Sequence, residues 1–171
     1  MLYLLVAIGH FRQLARIDQE LARSTEAAVR DLGARHGASP VLLRDGSALF
    51  ALGPEGQADP RRALELAIPI AAALEEKKEE LYGYQLLLAV AEEAGPEVVI
   101  RQLKELLGGC EEEGELWLAE AAVPFFAELV ETHRLPVLKR LGWYADLRRR
   151  PPRKPLPRLV IRALGLTRVR N

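Results

Sequence analysis

The chain has 171 residues, 49% of them hydrophobic and 28% charged, which is typical of a folded globular protein and excludes disorder throughout. Its single cysteine, Cys110, excludes a disulfide framework and a metal site built from several thiolates. The formal net charge of zero divides into an acidic body, with 12 Lys+Arg against 23 Asp+Glu in residues 1–133, and a basic extension, with 12 Lys+Arg against Asp146 in residues 134–171.

The first two elements predicted are a strand and a long helix. Leu2–Ile8 is a short, continuous apolar run, the pattern of a strand buried on both faces. From Arg12 onward, the residues of one face recur at spacings of three and four, which predicts a helix that ends at Gly33 or Gly37. The members of that face are Leu14, Ile17, Leu21, Thr25, Ala28 and Leu32.

A β-hairpin is predicted next. Val41–Arg44 and Ser47–Leu52 are two short apolar runs separated by Asp45-Gly46. Asp-Gly between two such runs favours a tight turn in which both turn residues take positive φ. On this evidence alone, Asp45 serves as a turn residue.

The second long helix has a clear predicted start. Asp59 is expected to cap it, with Pro60 at its first position. Apolar residues continue its pattern as far as Leu81, and Pro69 is expected to kink the helix or to displace its start. Gly83 is expected to cap its end.

The remaining elements are shorter. Tyr84–Val90 is predicted to be a strand, and a helix opening at Pro96 carries an apolar face. Another strand is expected at Glu115–Ala119, followed by a helix. The apolar face of the helix that opens at Pro96 comprises Val99, Leu103, Leu106 and Cys110. The helix after Ala119 is expected to contain Phe126 and Val130.

The order of these elements predicts the fold class. β-α-β-β-α-β followed by α-β-α is the arrangement of a ferredoxin-like α+β fold, in which helices pack on an antiparallel sheet. We predict a domain at residues 1–133. Residues 134–171 are predicted to be a basic, Pro/Arg-rich C-terminal extension, with a short helix between Leu135 and Leu141.

This order, together with the hairpin, resembles the catalytic domain of class III nucleotidyl cyclases and, more distantly, the diguanylate cyclase domain, over residues 2–90. In that family a metal-binding Asp ends the first strand, shortly before a Gly-Phe pair, and a second Asp lies in a Gly-Asp pair of the hairpin. Here Ala7 occupies the first position, within Val6-Ala-Ile-Gly-His-Phe11. Asp45 occupies the second position, preceded by Arg44 in place of the family's Gly.

The resemblance implies a degenerate, non-catalytic domain. Two Mg²⁺ ions that bridge phosphates require carboxylates from both positions, and one carboxylate beside Arg44 cannot neutralise them. The Asn and Arg pair with which the family stabilises the transition state has no counterpart after the strand Tyr84–Val90. We therefore predict no catalytic residue, no metal and no cofactor. Asp45 and His10 are the positions where a degenerate nucleotide or metal site would lie, and the alternative is that Asp45 only forms the turn and His10 is a surface or half-buried histidine.

Other catalytic patterns are missing from the sequence. It contains neither a Gly-x-x-x-x-Gly-Lys phosphate loop nor a Gly-x-Gly-x-x-Gly fingerprint. His10, His36 and His133 lie far apart, and none has a second ligand at helical spacing, so a zinc site is not expected. Cys110 falls on an apolar helix face and is predicted to be a buried, inert thiol.

A cytoplasmic location is predicted. No apolar run approaches the roughly 18 residues that a membrane span needs. The N-terminal run Leu2–Gly9 lacks a basic leader and a small-residue cleavage site, so it is interpreted as part of the fold.

The basic extension allows three interpretations. Its four closely spaced prolines between Pro151 and Pro157 forbid a helix and favour extended polyproline II. It could clamp an acidic surface of its own or a neighbouring chain, bind the phosphates of nucleic acid or anionic lipid, or link to a further domain. The candidate binding residues are Arg148, Arg149, Arg150, Arg153, Lys154, Arg158 and Arg162.

The function predicted from the sequence is that of a non-catalytic regulatory or scaffolding module. Such a module would dimerise or dock on a protein partner, with the extension clamping an acidic surface. The alternative is a protein that binds nucleic acid or an anionic membrane through residues 148–171. A nucleotide-binding enzyme is the third hypothesis.

Overall fold

The computed structural model describes residues 1–54, 57–107, 115–126, 129–134 and 143–147. The strands are β1 (Leu2–Ile8), β2 (Leu42–Arg44), β3 (Ser47–Gly53), β4 (Tyr84–Val90), β5 (Glu115–Leu118), β6 (Val130–Arg134) and β7 (Trp143–Leu147). The helices are α1 (Phe11–Ile17), α2 (Gln19–Arg35), α3 (Pro60–Glu76), α4 (Pro96–Leu107) and α5 (Val123–Phe126), with a 3₁₀ turn at Glu120–Ala122.

These strands form one sheet in the order β2-β3-β1-β4-β5-β7-β6. β1 lies between β3 and β4 and is antiparallel to both, whereas β4 and β5 are parallel and are joined through α4. β7 pairs with the outer edge of β5 and forms an antiparallel pair with β6. The α+β class and the ferredoxin-like order of the first elements are confirmed.

The central strands are buried on both faces, as the continuous apolar run of β1 indicated. On one face, Phe50 of β3 packs against Gly33 of α2, and the Tyr84 hydroxyl of β4 donates a hydrogen bond of 2.6 Å to Glu75 of α3. Leu5 of β1 points to the opposite face and is fully buried there. α4 contacts β3 and β4 and buries its own apolar residues, namely Val99, Ile100, Leu103 and Leu107.

The first predicted helix is two helices. Asp18 takes an extended conformation, ends α1 and caps α2, because its carboxylate accepts the backbone N–H of Leu21 at 2.8 Å. The break rotates the buried face, so that Ile17 is 67% exposed and the buried side of α2 consists of Ala22, Thr25, Val29 and Gly33. The helix also continues past Gly33 to Arg35, and Gly37 follows with a positive φ.

The second predicted helix starts where expected and ends earlier than expected. The Asp59 carboxylate accepts the N–H of Arg61 at 2.9 Å, and Pro69 lies inside the continuous helix α3. α3 ends at Glu76, and turns centred on Lys77 carry the chain to Leu81, which is buried although it lies outside the helix. The expectation that the helix reaches Leu81 and is capped by Gly83 is therefore wrong.

The last elements differ most from prediction. α5 covers only Val123–Phe126, and Val130 opens strand β6 instead of continuing a helix. β7 lies inside the segment assigned to the basic extension, where no strand was predicted. Cys110, the predicted helix between Leu135 and Leu141, and the arginine-rich residues 148–171 lie outside the described residues.

Helices within the described part of the chain are either too short or too polar to cross a membrane.

Candidate functional site

The candidate site lies where β1 ends beside the turn between β2 and β3. Asp45 and Gly46 both have positive φ, 49° and 72°, as predicted for a tight Asp-Gly turn. The turn is held from two sides: the N–H of Ile8 donates to the Gly46 carbonyl at 2.8 Å, and the Gly46 N–H donates to the Glu26 carboxylate of α2 at 2.9 Å. The corner is therefore fixed relative to both β1 and α2.

The loop from β1 to α1 is equally constrained. Gly9 donates its N–H to the Gly83 carbonyl at 2.8 Å, and a Cβ at Gly9 would lie 2.7 Å from the Tyr82 carbonyl oxygen. This close approach of two backbones requires glycine. His10 adopts a left-handed conformation with φ 48°, and its ring meets the Tyr82 ring edge-on at 6.2 Å between centroids.

Ala7 lies beside this corner within the sheet. It is opposite Ser47 of β3 and Gln85 of β4, one residue before the end of β1. Its methyl group offers no ligand to a metal ion. The structure thus brings the two family positions, Ala7 and Asp45, to the same end of the sheet, and only one of them carries a carboxylate.

An open groove of about 820 Å³ lies over the corner. We call it the basic groove, because Arg12 and Arg16 of α1 and Lys104 of α4 contribute cationic side chains to it. Its lining residues are Ile8, His10, Phe11, Arg12, Gln13, Arg16, Asp45 and Lys104. Asp45 is the one carboxylate among them, so the predicted site residues Asp45 and His10 share this groove.

Asp45 is engaged by two arginines. Its Oδ2 accepts a hydrogen bond from Nη2 of Arg12 at 3.0 Å and lies 3.8 Å from Nε of Arg44. Arg44 in turn contacts Glu97 of α4 at 3.3 Å. The interpretation of Asp45 as a turn residue is correct but incomplete, because its side chain also forms an ion pair with Arg12, and both residues line the groove.

These charges change the pKa values at the groove. The hydrogen bond from Arg12 is the main reason that the pKa of Asp45 is lowered from its ordinary value of 3.8. Burial, the second-largest effect, opposes this shift, and the charges of Arg12, Arg44 and Lys104 each lower the pKa further. The same pairing raises the pKa of Arg12. Because the folded-state pKa of Asp45 is depressed, its carboxylate stabilises the fold above the unfolded-state pKa. That contribution is lost as pH falls through the lower, folded-state value.

The residues of this corner do not fit a two-metal site. Mg²⁺ prefers carboxylate oxygens, and the one carboxylate that lines the groove, Asp45, already faces Arg12 and Arg44. The nearby Glu26 carboxylate accepts the N–H of Gly46. Within the described residues, no group of three His, Cys, Asp or Glu side chains could hold a metal ion. On α4, Val99 and Leu103 are buried, and the sole asparagine of the chain is Asn171. No asparagine is therefore available on α4.

Sequence reasoning did not find the cationic members of the groove. The spacing of Arg12 and Arg16 by four residues was a usable signal, because it places both side chains on one face of a helix. Lys104 could not have been assigned from the sequence, because it reaches the groove only through the way α4 packs across β3 and β4.

Comparison with known proteins supports the fold. No protein-family model and no curated protein matches the sequence. Among solved structures, the guanylate cyclase domain of RhGC from Catenaria anguillulae, in complex with GTP, has a TM-score of 0.63 at 13% identity over 86% of this chain and 96% of that chain. A guanylyl cyclase domain from Blastocladiella emersonii gives 0.61 at 13% identity over 87% and 95%. The adenylyl cyclase CyaB from P. aeruginosa gives 0.60 at 13% identity over 87% and 94%. The chain therefore has the fold of class III nucleotidyl cyclase catalytic domains, as the order of its elements and its hairpin indicated.

Proposed function

We propose that this chain is a non-catalytic regulatory or scaffolding module built on the cyclase fold, which dimerises or docks on a protein partner. The observation that carries the proposal is the state of Asp45, whose carboxylate is bound by Arg12 while Ala7 replaces the second acid. With one carboxylate bound by arginine and alanine at the other position, the corner lacks the ligands that two-metal phosphoryl chemistry requires. A folded domain without these metal ligands can still offer a stable surface for dimerisation or for docking on a protein partner.

Self-association is supported by one similar structure. One structure of a guanylyl cyclase domain from Blastocladiella emersonii, with a TM-score of 0.60 at 15% identity, is a non-canonical dimer, whereas two other structures of that domain are monomeric. We infer that the present chain uses the same type of fold to pair with itself or with a related domain.

The first prediction concerns catalysis. Purified protein incubated with ATP or GTP and either Mg²⁺ or Mn²⁺ is expected to yield no cyclic or dimeric cyclic nucleotide by chromatography, because the metal ligands are incomplete. Ala7→Asp alone is expected to restore nothing, since the carboxylate of Asp45 remains bound to arginine and no asparagine stands on α4.

A positive result would need one further comparison. Turnover by the unaltered chain that disappears in Asp45→Ala, but persists in the control Asp31→Ala on the exposed surface of α2, would overturn the non-catalytic proposal. Asp31 is a suitable control because it also forms an exposed ion pair with an arginine, Arg30 at 3.0 Å, and lies outside the groove.

The basic extension is proposed to clamp an acidic surface, and the end of the sheet suggests which one. β7 is antiparallel to β5 and therefore to β4, so Leu147 lies at the end of the sheet where β4 begins. Two exposed acids, Glu79 and Glu80, shortly precede β4 at that end. β7 and β4 are two strand positions apart, about 10 Å, which residues that follow Leu147 can easily cross.

The second prediction tests this clamp. Reversing both charges in Glu79→Lys/Glu80→Lys is expected to increase the rate of tryptic cleavage after Arg148 and Arg149 about 3-fold at low salt, because an unpaired extension is more accessible. The difference should shrink in high salt. Glu92→Lys/Glu93→Lys, which changes two exposed acids at the far end of β4, is the matched control and should cleave like the parent.

The alternative function has its own signature. If residues 148–171 bind nucleic acid or anionic lipid instead, the intact chain should bind duplex DNA or anionic vesicles at low salt, with a steep dependence of affinity on salt concentration. Equal cleavage rates in both charge-reversal variants, together with such binding, would favour this alternative over the clamp.

A further inference from the structure

The basic groove carries more positive charge than the hairpin turn needs. Arg12 already satisfies Asp45, yet Arg16 and Lys104 also line the same space. In the described part of the chain, no ion pair involves Arg16 or Lys104. Like charges gathered around an open groove repel one another, and a bound anion relieves that repulsion.

We propose that the basic groove binds a phosphate-bearing small molecule directly, through Arg12, Arg16 and Lys104, and without a divalent metal. The side chains of the protein would thus supply the positive charge that metal ions supply in a two-metal site. The inference rests on the proposed absence of a metal site.

Phosphate is the anion that best suits these three side chains. Guanidinium groups bind phosphate oxygens in a bidentate manner, and lysine adds a point charge. Arg12 and Arg16 are one turn apart on α1, so their Cβ atoms lie about 6 Å apart on one helix face, while Lys104 comes from α4. The groove volume of about 820 Å³ falls within the range of small-molecule sites and exceeds what a single phosphate would fill.

Asp45 is expected to compete with the ligand. It binds only one of the five N–H donors of Arg12, whose side chain is 79% exposed, so other donors of that guanidinium can meet an anion. A negative carboxylate in the groove nevertheless repels phosphate and holds Arg12 to one side. Removing its charge should therefore strengthen binding, whereas in a metal-dependent site the same change would destroy it.

The test is a calorimetric titration of the full-length protein with inorganic pyrophosphate, in EDTA and again in MgCl₂. We expect binding in EDTA. Arg12→Gln, Arg16→Gln and Lys104→Gln are each expected to weaken it at least about 5-fold, and Asp45→Asn to strengthen it about 3-fold. The control Arg23→Gln removes an exposed arginine of α2 that does not line the groove, and should bind like the parent.

Three outcomes would overturn the proposal. One is the absence of binding in EDTA up to about 10 mM pyrophosphate. A second is binding that requires Mg²⁺ and is lost in Asp45→Asn. The third is affinity that falls in the extension variant Arg153→Gln but not in the groove variants, which would assign binding to residues 148–171.

Cyclic nucleotide formation would refute the proposed function, whereas missing pyrophosphate binding in an inactive protein would refute the anion site alone. Because Asp45→Asn is expected to gain affinity, loss of folding in an arginine variant cannot imitate the full pattern.

Discussion

Replacing Gly46 by valine is expected to lower the free energy of unfolding by about 2–4 kcal/mol, through backbone strain and a steric collision together. Gly46 has φ +72°, a left-handed conformation that β-branched residues avoid. A Cβ there would collide with the ring of Phe11, which packs against the core. The measurement is chemical denaturation followed by fluorescence of the buried Trp117.

Two control variants separate these causes from a general sensitivity to mutation. Gly95→Ala should change stability by less than about 0.5 kcal/mol, because nothing lies within 4 Å of a Cβ at that position and its φ is not in the left-handed region. Asp45→Asn should leave stability nearly unchanged, since Asn suits the same turn and the ion pair with Arg12 is exposed. A stable Gly46→Val protein would mean that the turn differs from the one described here.

A large loss of stability in Asp45→Asn would indicate that the carboxylate has a role beyond the turn. It would show that the carboxylate holds a charged group more tightly than the two exposed arginines can account for, such as a bound cation. That result would reopen the question of a metal at this corner, and it can be distinguished from simple turn damage because Asn tolerates positive φ.

How well each element could be predicted depended on whether its signal was local. The apolar run of β1 and the Asp-Gly turn were correct because burial on both faces and positive φ leave direct marks in the sequence. The break at Asp18 was missed because apolar residues continue at spacings of three and four on both sides of it, while the decisive event is a hydrogen bond that the Leu21 N–H donates to the Asp18 carboxylate. Ile17 fits the helical pattern and is nevertheless exposed.

The candidate site could be predicted only in part, for a comparable reason. Asp45 and His10 were identified because the hairpin and the end of β1 are local features, and the register of β1 with β3 brings them together. The ion pair between Arg12 and Asp45 spans 33 residues, and Lys104 arrives from a helix after β4. Such long-range neighbours follow from packing. The sequence alone shows that arginines are present but not which carboxylate they meet.

The C-terminal strands were missed for a different physical reason. β7 contains Asp146 and is followed at once by arginines and prolines. The basic composition of the surrounding segment therefore led to its assignment to the extension, although residues 143–147 pair as a strand. Its strand conformation depends on partners on both sides, β5 and β6. Pairing with distant strands cannot be recognised from the residues of the segment alone, so the strand was not predicted.

The last prediction decides where the folded body ends. A chain truncated after Leu147 is expected to fold with the stability of the parent, whereas a chain truncated after His133 is expected to lose about 3 kcal/mol or more. The boundary predicted from charge, at residue 133, would remove β7 and leave the outer edge of β5 unpaired, beside the fully buried Trp117. Thermal denaturation and size-exclusion chromatography of the two proteins measure the difference.

The comparison is matched, because both truncated chains lack the arginine-rich residues 148–171 and differ mainly in β7 and the residues between it and β6. Exposed strand edges pair with other chains, so the shorter protein is also expected to aggregate, while the longer one stays dispersed. Equal stability and equal dispersion of the two proteins would contradict the role given to β7. That result would instead support a body ending at residue 133 and an extension of 38 residues, from 134 to 171, that contributes nothing to the fold. If the longer chain alone matches the parent, β7 belongs to the domain, and the extension proposed as a clamp begins at Arg148.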